Sequence, residues 1–228
     1  MNKNSSRRTY IFDYGGTLDT GGRHWARVLW SAWQQAGVTA SEAQFREAYV
    51  TAERQLASQS IIQPDYTFRQ TLTEKVRIAL RQVAQKQYLE PVVEAAYSVA
   101  RNHTARSRQV LSQLADSSQL ALVSNFYGNI HTVLAEFGMS GLFSHVVESA
   151  TAGVRKPDPR IFRLAIEALG RQPEGVTVVG DSIGNDIKPA RLIGCQTVWI
   201  RGEQWTDGPV DESVPHRIIS DIEELLET

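Results

Sequence analysis

Apolar and polar positions along this chain recur with two different periods, and the change of period divides it. A short apolar run from Thr9 to Phe12, halted by the turn Gly15-Gly16, predicts a buried strand. From Arg23 to about His103 the period is almost wholly helical. Trp25, Leu29, Ala32, Trp33 and Ala36 recur every 3.6 residues and end at Gly37. Ser41 with Gln44 forms a capping-box pattern ahead of Phe45, Tyr49, Ala52 and Leu56. A third helix carries Phe68, Leu72, Val76, Leu80 and Val83. Pro91 suits the first turn of a fourth, through Val92, Ala96 and Val99.

Beyond roughly Thr104 the texture changes. Strand candidates at Leu120–Val123, His145–Val147, Val176–Val179, Thr197–Ile200 and Arg217–Ile219 are separated by helical stretches at Val110–Ala115, Ile130–Phe137, Ile161–Leu169, Ile187–Leu192 and Ile222–Leu226. That alternation predicts βαβ units. The expected fold class is α/β: a Rossmann-like parallel sheet flanked by helices, with an all-helical domain inserted after the first strand. The expected core comprises residues 1–20 and 104–228, and the helical cap residues 21–103. Gly21-Gly22 reads as the hinge, with the return crossing near residues 100–106.

Composition excludes partners more than it names them. The 228 residues hold 24 Lys+Arg against 25 Asp+Glu, a net charge of −1, so no overall basic field points to nucleic acid or an anionic membrane. The single cysteine, Cys195, forms no internal disulfide, and no Cys/His cluster has zinc spacing. The polar start, Met1 to Thr9, precedes an apolar run too short for a secretory segment, and no stretch of about 20 apolar residues spans a bilayer. A cytoplasmic protein, monomer or homodimer, without nucleic-acid or membrane partners is the expectation.

In a parallel sheet the chemistry collects where strands end. Asp13 follows the first strand and sits beside Gly15-Gly16, which fits either a ligand-facing carboxylate or an Asx turn. Ser124-Asn125 ends a later strand ahead of Phe126-Tyr127-Gly128-Asn129, where a helix start can bind an anion or simply be capped. Lys156 stands in the loop Arg155-Lys156-Pro157-Asp158-Pro159, held by two prolines; a loop lysine is more often plain surface charge. Asp181 and Asp186 flank Ser182-Ile183-Gly184-Asn185, a spacing that suits an octahedral Mg²⁺ or plain helix capping.

The order of these four motifs is more specific than any one of them. Asp-x-Gly-Gly-Thr-Leu-Asp, then Ser-Asn, then Lys-Pro-Asp-Pro, then Gly-Asp-Ser-x-x-Asn-Asp resembles the haloacid dehalogenase-like (HAD) hydrolase superfamily over nearly the whole chain. The helical insertion falls where members with a C1-type cap carry theirs. The resemblance implies Asp13 as nucleophile on a small phosphorylated substrate, through an aspartyl-phosphate. It implies phosphoryl binding by Thr17, Ser124, Asn125 and Lys156. It also implies Mg²⁺ held by Asp13, Asp181, Asp186 and the carbonyl of Gly15. Asn185 would orient the metal loop.

One position departs from that pattern. Phosphatases of the superfamily commonly carry a second Asp as general acid where this chain has Gly15, and losing such a group typically costs about 10²–10⁴ in rate. An active hydrolase for leaving groups that need little protonation (acyl phosphates, sugar 1-phosphates, aryl esters) fits. So does a proton supplied from elsewhere, with Tyr14, Asp19, His24 and cap residues in sequence reach and nothing to select one. The alternative is a weak or silent phosphate- and Mg²⁺-binding relative. The dehalogenase branch usually has Tyr at the position of Gly15, whereas Tyr14 falls one residue early, on the other face. The phosphonate-cleaving branch needs a cap lysine, and Lys75 and Lys86 read as exposed. Among the aromatics, Trp25, Trp30, Trp33, Tyr49, Tyr66, Phe68 and Tyr88 are candidate pocket walls or core. Arg23, His24 and Arg27 are candidates for meeting a second anionic group.

Overall fold

A computed structural model describes residues 7–205 and 208–227; Met1–Ser6, at the polar start, lie outside the described residues. Six strands form one parallel sheet: β1 (Arg8–Phe12), β2 (Ser118–Ser124), β3 (His145–Glu148), β4 (Val176–Gly180), β5 (Gln196–Ile200) and β6 (Arg217–Ile219), in the order β3-β2-β1-β4-β5-β6. β1, β2 and β4 read as nearly unbroken apolar runs because helices cover both faces. Successive side chains serve opposite layers. Tyr10 and Phe12 join the larger core with Leu120, Leu122 and Val179, while Ile11 packs with Ala121, Val123 and Val178.

From β1 the chain progresses outward to β2 and β3, then returns across the sheet to β4. This makes the adjoining ends of β1 and β4 a topological switch point, where such sheets open a crevice. The Asp13 amide donates to the Val179 carbonyl at 2.9 Å, so the strand pairing continues to the first residue past β1.

All residues between β1 and β2 that fold into regular structure are helical: α1 (Trp25–Ala36), α2 (Glu42–Ser58), α3 (Phe68–Gln82) and α4 (Leu89–Ser117). Gly37 closes α1 in the left-handed conformation, with φ of 82°. Ser41 and Gln44 make the reciprocal capping box of α2. Thr67 and Gln70 form a second capping box at α3.

The helices expected at Val92–Val99 and Val110–Ala115 are one helix of 29 residues, α4. Its polar middle resembles a break in the sequence but contains no proline or glycine after Pro91. Its buried hydroxyls are also satisfied: Thr104 donates to the Ala100 carbonyl at 2.7 Å, and Ser107 to the Leu18 carbonyl at 2.8 Å. The chain therefore passes residues 100–106 inside a continuous helix.

The remaining helices are α5 (Ile130–Glu136), α6 (Ser149–Ala152), α7 (Arg160–Ala168) and α8 (Lys188–Leu192), the last preceded by a wide helical turn over Ile183–Ile187. The helix expected at Ile222–Leu226 is a 3₁₀ segment, Ile222–Glu227. Among the described residues no helix is long and apolar enough to cross a membrane.

Candidate active site

Asp13 and Asp181 are the first residues past β1 and β4, so the switch point brings their carboxylates side by side. The wide turn after β4 delivers Asp186 to them, and one oxygen or another of each of the three lies within 4.8 Å of the others. Lys156 arrives from the loop before α7. Its ammonium donates to Asp13 Oδ1 and, at 2.7 Å, to Asp186 Oδ1. All four are withdrawn from solvent, with 6% exposure at Asp13, 4% at Lys156, 4% at Asp181 and 1% at Asp186.

Two glycines make this proximity feasible. A Cβ at Gly16, whose φ is +98°, would stand 2.4 Å from the Asp181 carboxylate; one at Gly180 would stand 2.5 Å from Asp186. Neither position accepts a side chain without moving a carboxylate.

The electrostatics are unbalanced. Three carboxylates face one ammonium, an excess of two negative charges in a buried place. Burial, then the charges of Asp13 and Asp186, push the Asp181 carboxyl well above its usual range. Burial likewise raises Asp186 to about 6, against the lowering effect of Lys156. Burial alone would lower Lys156, but Asp13 and Asp186 outweigh it and hold the ammonium firmly charged. A divalent cation would cancel that excess, and hard carboxylate oxygens suit Mg²⁺, so this donor set fits such an ion.

Thr17 is fully buried. Its hydroxyl lies 3.2 Å from Asp13 Oδ2 and 3.0 Å from Asp181 Oδ1, and it accepts from the Asp181 amide at 3.0 Å. The hydroxyl expected to meet phosphate is thus engaged in bracing the two carboxylates. Ser182 provides the cap of the following turn, accepting from the Asn185 amide at 3.1 Å, while Asp186 Oδ2 accepts from the Ser182 amide at 3.1 Å.

Ser124 ends β2 and is buried. The side chain of Asn125 clamps the Lys156 backbone, donating to its carbonyl at 3.0 Å and accepting from its amide at 2.9 Å. That two-bond clamp fixes the loop from which the lysine projects. The sequence expectation gave Asn125 only its phosphate-binding role. The start of α5 is not free to bind an anion: Glu148 accepts from the amides of Gly128 at 2.6 Å and Ile130 at 3.4 Å.

A cavity of about 780 Å³ opens beside this cluster, lined on the sheet side by Gly15, Asp19, Asn125 and Asn185. Gly15 is exposed there, and a Cβ on it would meet only Trp25 Cδ1, at 4.0 Å. Of the aromatic candidates, Trp25, Tyr49 and Phe68 line the cavity; Trp33 is fully buried core, and Trp30, Tyr66 and Tyr88 pack against the core without lining it. His24 lines it as well. Arg23 instead pairs with Glu203 at 2.6 Å, and Arg27 donates to the Gln204 carbonyl at 2.9 Å.

Lys75 overturns its sequence reading. It is not on an exposed face but lines the cavity, paired with Glu53 at 2.6 Å. Burial works to lower its pKa, and Glu53 more than offsets that, so it is held as an ammonium. Such a nitrogen has no lone pair for a Schiff base.

Three groups were in sequence reach of the missing acid. Tyr14 is fully buried, its ring edge-on to Phe126 and Phe68 at 5.7 and 6.4 Å. His24 Nδ1 accepts from the Ala26 amide at 3.1 Å, and burial lowers its pKa to about 4, so it is neutral at pH 7. Asp19 reaches the cavity, and burial raises it to about 7, but both oxygens are engaged, by the Gly16 amide at 2.7 Å and Trp25 Nε1 at 2.8 Å.

A doubly flanked parallel sheet with a buried acidic triad at its switch point and a lysine bonded to two of the acids is a donor set that fits a divalent cation. The chain belongs to the haloacid dehalogenase-like hydrolases, whose family model matches residues 7–194. It is similar to a phosphoserine phosphatase of Thermus thermophilus, 35% identical over 47% of this chain and 43% of the relative. A glyceraldehyde 3-phosphate phosphatase of Pyrococcus furiosus is 32% identical over 39% of this chain and 38% of its own. The chain thus spans less than half the length of these curated relatives. Solved structures extend the likeness across the chain. A dehalogenase with an intermediate complex superposes with a TM-score of 0.65 at 20% identity, covering 97% of this chain and 96% of that one. A HAD hydrolase of Bacillus subtilis bound to magnesium gives 0.59 at 19%, covering 97% of each. At such identity the structures establish the fold.

Proposed function

We propose that the protein is a Mg²⁺-dependent phosphatase of small phosphorylated metabolites, working through an aspartyl-phosphate on Asp13, with α1–α3 and the first half of α4 as a cap over the site. The observation that carries this reading is the Lys156 ammonium bonded to both Asp13 and Asp186, beside Asp181, at the junction of β1 and β4. An Asp13 oxygen attacks phosphorus, and the ester oxygen departs with the bonding electron pair. Water then attacks the aspartyl-phosphate to release inorganic phosphate and restore Asp13. Lys156, the Ser124 hydroxyl and the Asn125 amide hold the phosphoryl oxygens as charge spreads over them. Asp13, Asp181, Asp186 and the Gly15 carbonyl would hold Mg²⁺, which when bound would supply the positive charge that lets an anionic nucleophile meet an anionic phosphate.

The engaged oxygens of Asp19, the buried Tyr14 and the neutral His24 argue against these three as replacements for the acid missing at Gly15. Leaving groups that depart without much protonation therefore suit this site best. Asp13→Asn should abolish aryl-phosphate turnover in Mg²⁺ while the circular dichroism stays native. Undiminished turnover in that variant would sink the assignment. A silent phosphate-binding relative is the other reading of Gly15, and turnover of any member of a phosphometabolite panel rejects it.

A further inference from the structure

The helical part of the cavity lining carries an ion pair that has no part in the proposed phosphoryl chemistry. Glu53 of α2 and Lys75 of α3 are joined at 2.6 Å, and Tyr127, from the loop after β2, donates to the other Glu53 oxygen at 2.8 Å. The ammonium also lies 5.4 Å from the Tyr127 ring centre and 6.0 Å from that of Tyr49. The side chains keep 32% exposure at Glu53 and 12% at Lys75, and both residues line the cavity. The pair shares its cavity with Gly15 and Asn125, and Tyr127, which bonds to Glu53, is three residues past Ser124, at most about 10–11 Å along the backbone.

Withdrawing such a pair from water costs more than it returns when an apolar pair would fill the same space, so a contribution to stability is a weak reason for it. Its chemistry is that of a recognition group. The two charges cancel, so a second anion gains no net attraction there. A zwitterion would have to lie head to tail beside the pair, where one Glu53 oxygen already accepts from Tyr127. Neighbouring hydroxyls meet it as it stands, one accepting from Lys75 Nζ and the next donating to a Glu53 oxygen. Trp25, Tyr49 and Phe68 line the same cavity and offer aromatic faces to the C–H side of a ring.

We infer that Glu53 and Lys75 form the leaving-group subsite of the cavity and select an uncharged, multiply hydroxylated leaving group of the sugar class. The inference rests on the phosphatase reading for where the phosphate sits. With Gly15 offering no proton, a phosphate on the anomeric oxygen, a better leaving group than an ordinary alkoxide, is the form of such a substrate that this site turns over most readily.

Binding separates this inference from hydrolysis. Titration calorimetry of Asp13→Asn with Mg²⁺ should show glucose 1-phosphate binding at least about tenfold tighter than cyclohexyl phosphate, which has the ring without its hydroxyls, and tighter than O-phosphoserine. Adding Glu53→Gln and Lys75→Met together removes the pair without leaving a lone buried charge, and should bring the sugar-to-cyclohexyl ratio close to one. In the wild-type background the same double change should reduce the corresponding kcat/KM ratio at least about tenfold. A preference retained by the double variant overturns the inference. So does equal or weaker binding of glucose 1-phosphate relative to either comparison ligand in Asp13→Asn. Preferential binding without turnover in wild type would instead uphold this subsite and overturn the hydrolase reading.

Discussion

Restoring a carboxyl at Gly15 is the sharpest test of what this site lacks. The position tolerates one. A Cβ there meets only Trp25 Cδ1 at 4.0 Å, ordinary van der Waals contact, and the backbone is not in the left-handed region. Replacing glycine without strain typically stabilises by about 0.4–1 kcal/mol through the unfolded chain. The opposing term is charge. A like charge roughly 6 Å away costs about 3 kcal/mol at an effective dielectric of about 20, so the assay belongs in saturating Mg²⁺. The same surroundings raise nearby Asp19 to about 7, and a carboxyl raised toward that range is a competent proton donor at neutral pH. A positioned general acid contributes about 10²–10⁴. At 1.36 kcal/mol per decade that is about 3–5 kcal/mol off the barrier for a poor leaving group. Gly15→Asp should therefore raise kcat/KM on butyl phosphate by about 100-fold or more. The gain on p-nitrophenyl phosphate, whose phenolate leaves unaided, should stay below about tenfold. Equal gains on the two esters, or none on either, would refute the claim that proton transfer is what the wild type lacks.

Other consequences follow from the same geometry. Mg²⁺ at about 100 times its Kd should add about 2.7 kcal/mol of stability, a rise in Tm of at least about 5 °C that chelation reverses and Asp181→Asn removes; an unchanged Tm would reject the metal site. Gly180→Ala forces a Cβ to within 2.5 Å of Asp186 and should cost about 1–3 kcal/mol in urea unfolding. Gly184→Ala, with open space around it, should stay within about 0.5 kcal/mol of wild type, and equal losses would contradict the packing argument. His24 is held near a pKa of about 4 by burial, while the unfolded chain takes up its proton near 6.5. Stability should therefore fall as pH drops from 6.5 to 4, by up to about 3 kcal/mol from this residue. His24→Asn keeps an acceptor for the Ala26 amide and should lose that share of the acid sensitivity; an identical pH profile in both proteins would refute it.

What was legible in the sequence followed from local rules. The apolar runs of β1, β2 and β4 announce strands covered on both faces, and the polar residue after each run lies at the sheet's carboxyl edge because strand direction requires it. Asp13 and Asp181 were found that way; Asp186, in the following turn, and Lys156, in a proline-held loop, took their roles from the order of the family motifs, and all four meet in the structure. The misreadings share a cause, which is that a side chain's partner lies far along the chain. Ser107 looks like part of a helix break until its hydroxyl finds the Leu18 carbonyl, 89 residues away. Lys75 looks like surface charge until α2 supplies Glu53 twenty-two positions earlier. No local pattern marks the Asn125–Lys156 clamp, because its ends are 31 residues apart.

Pairings of this kind would let one small chain separate the two tasks proposed for it. The groups proposed to handle the phosphoryl are each held by a bond involving backbone: Asp13, past the end of β1, through Val179, Asp186 through Ser182, and Lys156 through Asn125. The groups proposed to face the leaving group sit mainly on helices inserted between β1 and β2, and they contact the sheet side through Tyr127 and Trp25. Changes on the helical surface can therefore alter which leaving group is accepted without disturbing the carboxylates. Gly15 lies where the two sets meet, bare of a side chain and open to the cavity, so a single substitution there probes the chemistry while leaving Glu53 and Lys75 in place.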